Sequence, residues 1–301
     1  MTSRAIFFTA RGTIRGFWRV GLFCVAVAGC WVVAASLLSP VLVWIYRVIG
    51  LRSVSSDGWV EVAALLGGHR IALLWADKRP WSDVGLGHQA AHPRLLARGF
   101  ALGALGIGIP VVCLIACGWL VRAPAVGAGL STGPEAWAGA AVRVSTFLLP
   151  AALAEELLAR GYVFTVIRDA AGWGWSLSAT SIGFGLLHIA NNGATEMSLA
   201  LVMLAGVLLG LVRIATRSLY AAWAAHFAWN WTMAVVFHVA VSGYPLESPA
   251  YRYVDAGPNW ATGGAWGPEA GIPAGLSMVV IIGYLMARQR RRQEGETWPN
   301  G

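Results

Sequence analysis

The sequence predicts an all-α fold, a polytopic bundle of about eight transmembrane helices. Of its 301 residues, 57% are hydrophobic and only 12% are charged, whereas soluble domains carry about 25% charged residues. Several apolar runs reach the ~20 residues that a helix needs to cross a bilayer. The 16 tryptophans fit this class, because tryptophan concentrates at membrane–water interfaces. We therefore expect an integral, multi-pass membrane protein.

Eight apolar segments are predicted spans, and only 59–76 is weakly apolar, because it contains Glu61, His69 and Arg70. If 59–76 crosses, the basic residues at 78–98 and the C-terminal arginines share a side with the basic N-terminus, as the positive-inside rule requires. If it does not cross, seven spans remain. In chain order the predicted spans are 20–46, 59–76, 99–121, 138–165, 174–190, 196–213, 218–241 and 272–287.

The chain divides into three predicted parts. Residues 1–76 form a basic flank with the first two membrane segments, 77–241 form a helical core, and 242–301 hold an outer loop, the last span and a basic tail. The polar stretch 242–271 is expected to be a surface loop or lid. We expect a bacterial inner-membrane protein with both termini in the cytoplasm.

Charge distribution and cysteine spacing argue against nucleic-acid binding and against cysteine-based zinc or redox sites. Much of the basic charge behind the net +8 lies at the chain ends and in short loops, which indicates cytoplasmic retention and no nucleic-acid partner. The four cysteines form no Cys-x-x-Cys pair, so the sequence signals neither a zinc knuckle nor a redox pair.

The fourth predicted span carries Glu155, Glu156 and Arg160 among apolar residues. A charge at the centre of a membrane costs roughly 2.5–3.5 kcal/mol on insertion scales, so such residues usually serve a function. Glu156 and Arg160 are four residues apart, share a helix face and can pair. Glu155 points about 100° away and is therefore the freer carboxylate.

Two later spans add the other polar groups. Phe184 and His188 are four residues apart on one span, so the phenyl ring can pack beside the imidazole; His226 and Asn230 have the same spacing on another. Peptide-bond hydrolysis needs a base that activates water and donors that stabilise the oxyanion. A carboxylate with a histidine can do the first, and a histidine with an asparagine amide can do the second. The sequence shows no strong serine or cysteine nucleophile motif and no His-Glu-x-x-His.

Taken in order, these motifs resemble a known family. Glu155-Glu156-x-x-x-Arg160-Gly161, Phe184-x-x-x-His188 and His226-x-x-x-Asn230 are similar to the three signature motifs of the CPBP family. These are the CAAX-protease and bacteriocin-processing intramembrane endopeptidases, related to the eukaryotic Ras-converting prenyl protease. The resemblance covers about 78–240, and the segment 79–86 looks like the family's lead-in to the core.

The resemblance implies a glutamate-dependent endopeptidase that acts on a membrane-associated protein or peptide. Glu155 and His188 would activate water, and His226 and Asn230 would stabilise the oxyanion. Supporting roles are implied for Glu156, Arg160 and Phe184.

The cofactor question stays open at this stage. The family was long labelled as metalloproteases, and zinc could be held by Glu155, His188 and His226. Asn230 is a poor zinc ligand, and its spacing makes it the partner of His226, so we expect no cofactor.

Two alternatives from other classes remain. A non-catalytic membrane scaffold or immunity-type protein could keep the same fold. A proton-coupled transporter could also place Glu, His and Arg inside helices, although we find no paired inverted repeats. The expected partners are a peptide or membrane-protein substrate and the lipid bilayer.

Overall fold

A computed structural model describes residues 6–9, 12–124, 133–247 and 251–296, with side chains up to residue 291. Helices dominate these residues, and each predicted span contains one. The helices are α1 (Gly16–Val48), α2 (Asp57–Ile71), α3 (Pro93–Ala116), α4 (Pro134–Arg160), α5 (Tyr162–Ala171), α6 (Trp173–Leu186), α7 (Glu196–Thr216), α8 (Leu219–Trp231), α9 (Asn259–Thr262) and α10 (Ile272–Glu296).

The predicted fold class is confirmed: among the described residues the chain is a helical bundle with several helices suited to a membrane. Helices α2, α6 and α8 are only 15, 14 and 13 residues long. π-helical turns lengthen α2 to Asp77 and α8 to Phe237. The number of crossings therefore stays a prediction. Among the residues that the structure describes, five helical stretches are long and apolar enough to span a bilayer: Gly16–Val48, Pro93–Ala116, Pro134–Ala171, Glu196–Thr216 and Ile272–Arg291.

The predicted fourth span, 138–165, is interrupted at Gly161, where α4 ends and α5 begins. The imidazole of His69 lies at this break. Its Nδ1 donates a hydrogen bond to the Leu65 carbonyl at 2.7 Å, and its Nε2 accepts one from the Tyr162 amide at 2.9 Å. His69, for which the sequence predicted no role, thus satisfies an amide that a helix start leaves unpaired. Gly161 fits because a Cβ there would overlap the imidazole.

Small residues bring the helices of the core close together. Gly99 and Gly103 of α3 lie against the Ala221 and Ala225 carbonyls of α8, one turn apart, so α3 and α8 run parallel in contact. On α7, Gly206 packs against α6 in the same way. Helices α6 and α8 pack against α4, and Arg160 of α4 reaches the Gly206 carbonyl of α7.

The loop predicted at 242–271 is partly folded. Strand β1 (Leu120–Pro124) pairs antiparallel with β2 (Tyr251–Asp255), so that Leu120 lies opposite Asp255. The prediction that the third span continues to residue 121 was wrong at its end. Helix α3 stops at Ala116, because Gly118 turns the chain with a φ of 72° and β1 follows.

Candidate active site

The three sequence motifs meet at one place in the bundle. Glu155 lies near the C-terminal end of α4, His188 in the turn that follows α6, and His226 on α8. The Glu155 Oε2 atom is 3.9 Å from His188 Nε2 and 3.8 Å from His226 Nε2. These distances are too long for direct hydrogen bonds. Polar groups separated by gaps of this length commonly interact through a bridging water.

A backbone carbonyl orients the ring of His188. His188 Nδ1 lies 2.8 Å from the Phe184 carbonyl oxygen, so this nitrogen carries the hydrogen and donates it. In the neutral ring, Nε2 is then a hydrogen-bond acceptor that faces Glu155. The Phe184 side chain also packs beside the imidazole, with ring centroids 5.0 Å apart. The contact that the four-residue spacing allowed is therefore present.

A carboxylate, rather than a carbonyl, lies behind His226. His226 Nδ1 donates to Glu156 Oε1 at 3.0 Å, and its Nε2 faces Glu155. A carboxylate at Nδ1 fixes the ring orientation and stabilises an imidazolium. The two histidines thus present the same nitrogen to Glu155 but have different partners on the opposite side of the ring.

Glu156 and Arg160 form a fully buried ion pair, with Nη1 of Arg160 3.0 Å from Oε1 of Glu156. The pairing that the helical spacing allowed is therefore present. Arg160 also donates to the Gly206 carbonyl at 3.1 Å and lies 4.3 Å from the centroid of the Phe184 ring. Since Glu156 Oε1 also accepts from His226, one carboxylate oxygen connects α4 to α8.

Glu155 differs from its neighbour in exposure. The side chain of Glu155 is 38% exposed, whereas that of Glu156 is fully buried. Its Oε2 atom is nevertheless buried and has no hydrogen-bond partner among the described residues. A carboxylate with one sheltered oxygen and an accessible side can contact both an activated water and an incoming substrate.

Asn230 lines a small cavity beside the two histidines. The cavity has a volume of about 40 Å³ and is also bordered by Phe184, His188 and His226. The volume of this cavity is enough for one or more waters. Most of its lining is apolar, and the two histidines and Asn230 are among its polar groups. Asn230 is half-buried here, four residues after His226 on the same face of α8.

Residues 137–232 match the family model described as Rce1-like, Type II CAAX prenyl endopeptidase. The resemblance that the motifs indicated is confirmed over this segment. Residues 137–232 are thus similar to this family of prenyl endopeptidases. At the level of the family, the match supports a CAAX-type intramembrane endopeptidase and, with the long apolar helices, an integral membrane protein. Comparisons with curated proteins and with solved structures found no match.

The zinc alternative fits this core poorly. Tetrahedral zinc has bonds of about 2.0–2.2 Å to His and Glu, so its ligand atoms lie about 3.3–3.6 Å apart. Glu155 Oε2 lies 3.8 and 3.9 Å from the two histidine nitrogens. In the part of the chain that the structure describes, no group of three His, Cys, Asp or Glu residues has the arrangement of a metal site.

One acidic residue outside the matched segment 137–232 was missed by the sequence analysis. Glu269 accepts hydrogen bonds from the indoles of Trp229 at 3.1 Å and Trp266 at 3.0 Å, and from the Ser242 amide at 2.7 Å. It thereby fixes the outer loop to α8 beside the catalytic motifs. Trp266 is fully buried and packs near His188, with ring centroids 6.4 Å apart. Glu269 and Trp229 lie on different elements far apart in the chain, so no helical spacing in the sequence could predict this contact.

Proposed function

We propose that the protein is an intramembrane endopeptidase that hydrolyses a peptide bond of a membrane-associated protein or peptide with activated water. The observation that carries the proposal is the position of Glu155 Oε2, between the Nε2 atoms of His188 and His226. A purely structural role would be met by the Glu156–Arg160 ion pair. It would not require a second, unpaired carboxylate oxygen 3.8–3.9 Å from two imidazole nitrogens.

In the proposed mechanism, one water donates its hydrogens to Glu155 Oε2 and His188 Nε2. Glu155 takes up a proton as general base while the water oxygen forms a bond to the carbonyl carbon of the substrate. His188 keeps the second hydrogen in place, because its own Nδ1 hydrogen is held by the Phe184 carbonyl. Glu155 then returns the proton to the amine that leaves when the C–N bond breaks.

His226 and Asn230 stabilise the oxyanion in this proposal. With His226 protonated, its Nδ1–H stays on Glu156 and its Nε2–H is available to the oxyanion. The amide of Asn230 is the second donor, and such donors act most strongly where water is excluded. The charges of Glu155, Glu156, Arg160 and protonated His226 then sum to zero, which suits a membrane interior.

The proposal is tested by comparing new protein termini in membranes that contain the parent protein or Glu155→Gln. Glu135→Gln is a matched control, because Glu135 is an exposed glutamate in the first turn of the same helix. We expect cleavage products with the parent and the control and none with Glu155→Gln. The same products with all three proteins would contradict the mechanism. If Glu155→Gln instead fails to assemble in the membrane, the scaffold alternative is favoured.

A further inference from the structure

A long apolar groove lies on the surface of the bundle. Leu102 lines both this groove and the cavity beside the catalytic histidines. It has a volume of about 830 Å³ and runs between α3 and α10, with the end of α7 at one side. Its walls include Leu105 and Ile109 of α3 and Leu276 and Val280 of α10, each more than half exposed. Along α3 it extends from Leu95 to Cys113, about 27 Å at 1.5 Å per residue. This length approaches the ~30 Å hydrocarbon core of a bilayer.

The packing shows which helix ends meet at one end of the groove. Gly99, near the start of α3, lies against Ala221, near the start of α8. Helix α7 ends at Thr216, just before α8 begins, so Thr216 lies at this same end. Gly275, near the start of α10, packs against Leu201 at the opposite end of α7. The C-terminal half of α10 therefore returns to the end where α3 starts.

That end of the groove is positively charged. Arg98 of α3 and Arg288 of α10 both line it, and Arg288 Nη1 lies 3.5 Å from the Tyr284 hydroxyl oxygen. Among the described residues that line the groove there is no aspartate or glutamate. Two guanidinium groups without a carboxylate, at the mouth of an apolar channel, complement an anion that carries hydrocarbon chains.

We propose that this groove binds an anionic phospholipid. Its phosphate lies between Arg98 and Arg288, because guanidinium groups bind phosphate oxygens with two parallel hydrogen bonds. Its acyl chains lie along Leu105, Ile109 and Leu276. Basic pockets between transmembrane helices on the cytoplasmic side are known sites for anionic headgroups, and the positive-inside rule predicts that this end is cytoplasmic. The lipid would fasten α10, which lies outside the predicted core 77–241, to α3.

The experiment measures lipid binding by the purified full chain in a non-ionic detergent. Phosphatidylglycerol, phosphatidylcholine and inorganic phosphate are titrated separately, with native mass spectrometry and thermal unfolding as readouts. The test variant is Arg98→Gln/Arg288→Gln. The charge-matched control is Arg52→Gln/Arg252→Gln, because both of these arginines are exposed and line no part of the groove.

We expect the parent and the control to bind phosphatidylglycerol at least tenfold more tightly than phosphatidylcholine. We expect the test variant to lose this preference while its unfolding temperature without lipid is unchanged. Equal binding of both lipids by the parent would overturn the proposal, and so would unaltered binding by the test variant. A shift with inorganic phosphate as large as that with lipid would overturn the role of the acyl chains.

If the arginine variant unfolds early, Leu276→Trp provides a second test. The larger side chain fills the groove without changing its charge. It should weaken binding of phosphatidylglycerol at least tenfold, and unchanged binding would contradict the proposed position of the acyl chains.

Discussion

The Glu156–Arg160 pair offers the sharpest test of how the site is built. Both side chains are fully buried, and Glu156 Oε1 accepts from Arg160 Nη1 and His226 Nδ1, each at 3.0 Å. Removal of one partner from a buried ion pair costs about 3–5 kcal/mol, because a buried charge is left uncompensated. We therefore expect Glu156→Gln to lower the free energy of unfolding by about 3–5 kcal/mol.

By the same reasoning, the variant Glu156→Gln/Arg160→Met should lose less stability than the two single variants lose together. Arg160→Met leaves the Glu156 carboxylate with His226 as its remaining partner and should also destabilise the fold. Glu156→Gln/Arg160→Met removes both charges together. Its free energy of unfolding should exceed the additive expectation by about 0.5–3 kcal/mol, the usual range for residues in contact. Cleavage should not recover, because His226 still lacks the carboxylate that orients it.

The assay is unfolding in mixed micelles of detergent and sodium dodecyl sulfate, followed by tryptophan fluorescence. Arg143→Gln is the control, since it breaks the Arg143–Glu247 ion pair, whose side chains are 31% and 40% exposed. A surface pair of this kind is worth about 0–1 kcal/mol. The reasoning is refuted if both buried single variants lose no more stability than the control. It is also refuted if the loss in the free energy of unfolding of the double variant equals the sum of the losses of the two single variants.

Three further predictions follow from the site. His188→Ala should abolish cleavage with little change in unfolding temperature, whereas His88→Ala, at an exposed histidine, should alter neither; equal activity of both variants in a cleavage assay would contradict this. Glu269→Gln should loosen the outer loop, seen as faster hydrogen exchange around Trp266 than in the parent; unchanged exchange would show that Glu269 does not hold the loop. Incubation with strong zinc chelators should leave cleavage unchanged, and loss of activity that returns with zinc would contradict the metal-free mechanism.

Local pattern explains what the sequence predicted well. The helix positions follow from apolar length, and the pairing of Glu156 with Arg160 follows from four-residue spacing on one helix. The convergence of Glu155, His188 and His226 was predicted because charge inside a membrane is costly and needs partners. Each of these inferences depends on residues within one helix or on the general free-energy cost of a charge inside a membrane.

Contacts between distant segments explain what was missed. The hydrogen bond from the Tyr162 amide to His69 joins residues 93 positions apart. Nothing in the sequence of either helix indicates that the two are in contact. The hydrogen bonds of Glu269 cross from the outer loop to Trp229 in the same way. The β1–β2 pair depends on register between two short segments, and the first of them was assigned to the end of a span.

The central claim is that Glu155 activates a water for attack on a peptide bond. The most direct measurement is the kcat of purified Glu155→Gln in proteoliposomes on a cleaved substrate, beside the parent and Glu135→Gln. The account predicts a loss of about 10²–10⁴-fold for Glu155→Gln, the usual contribution of a general base, with parent-like unfolding temperature and a control that stays active. A Glu155→Gln protein that folds and turns over as fast as the parent would contradict it.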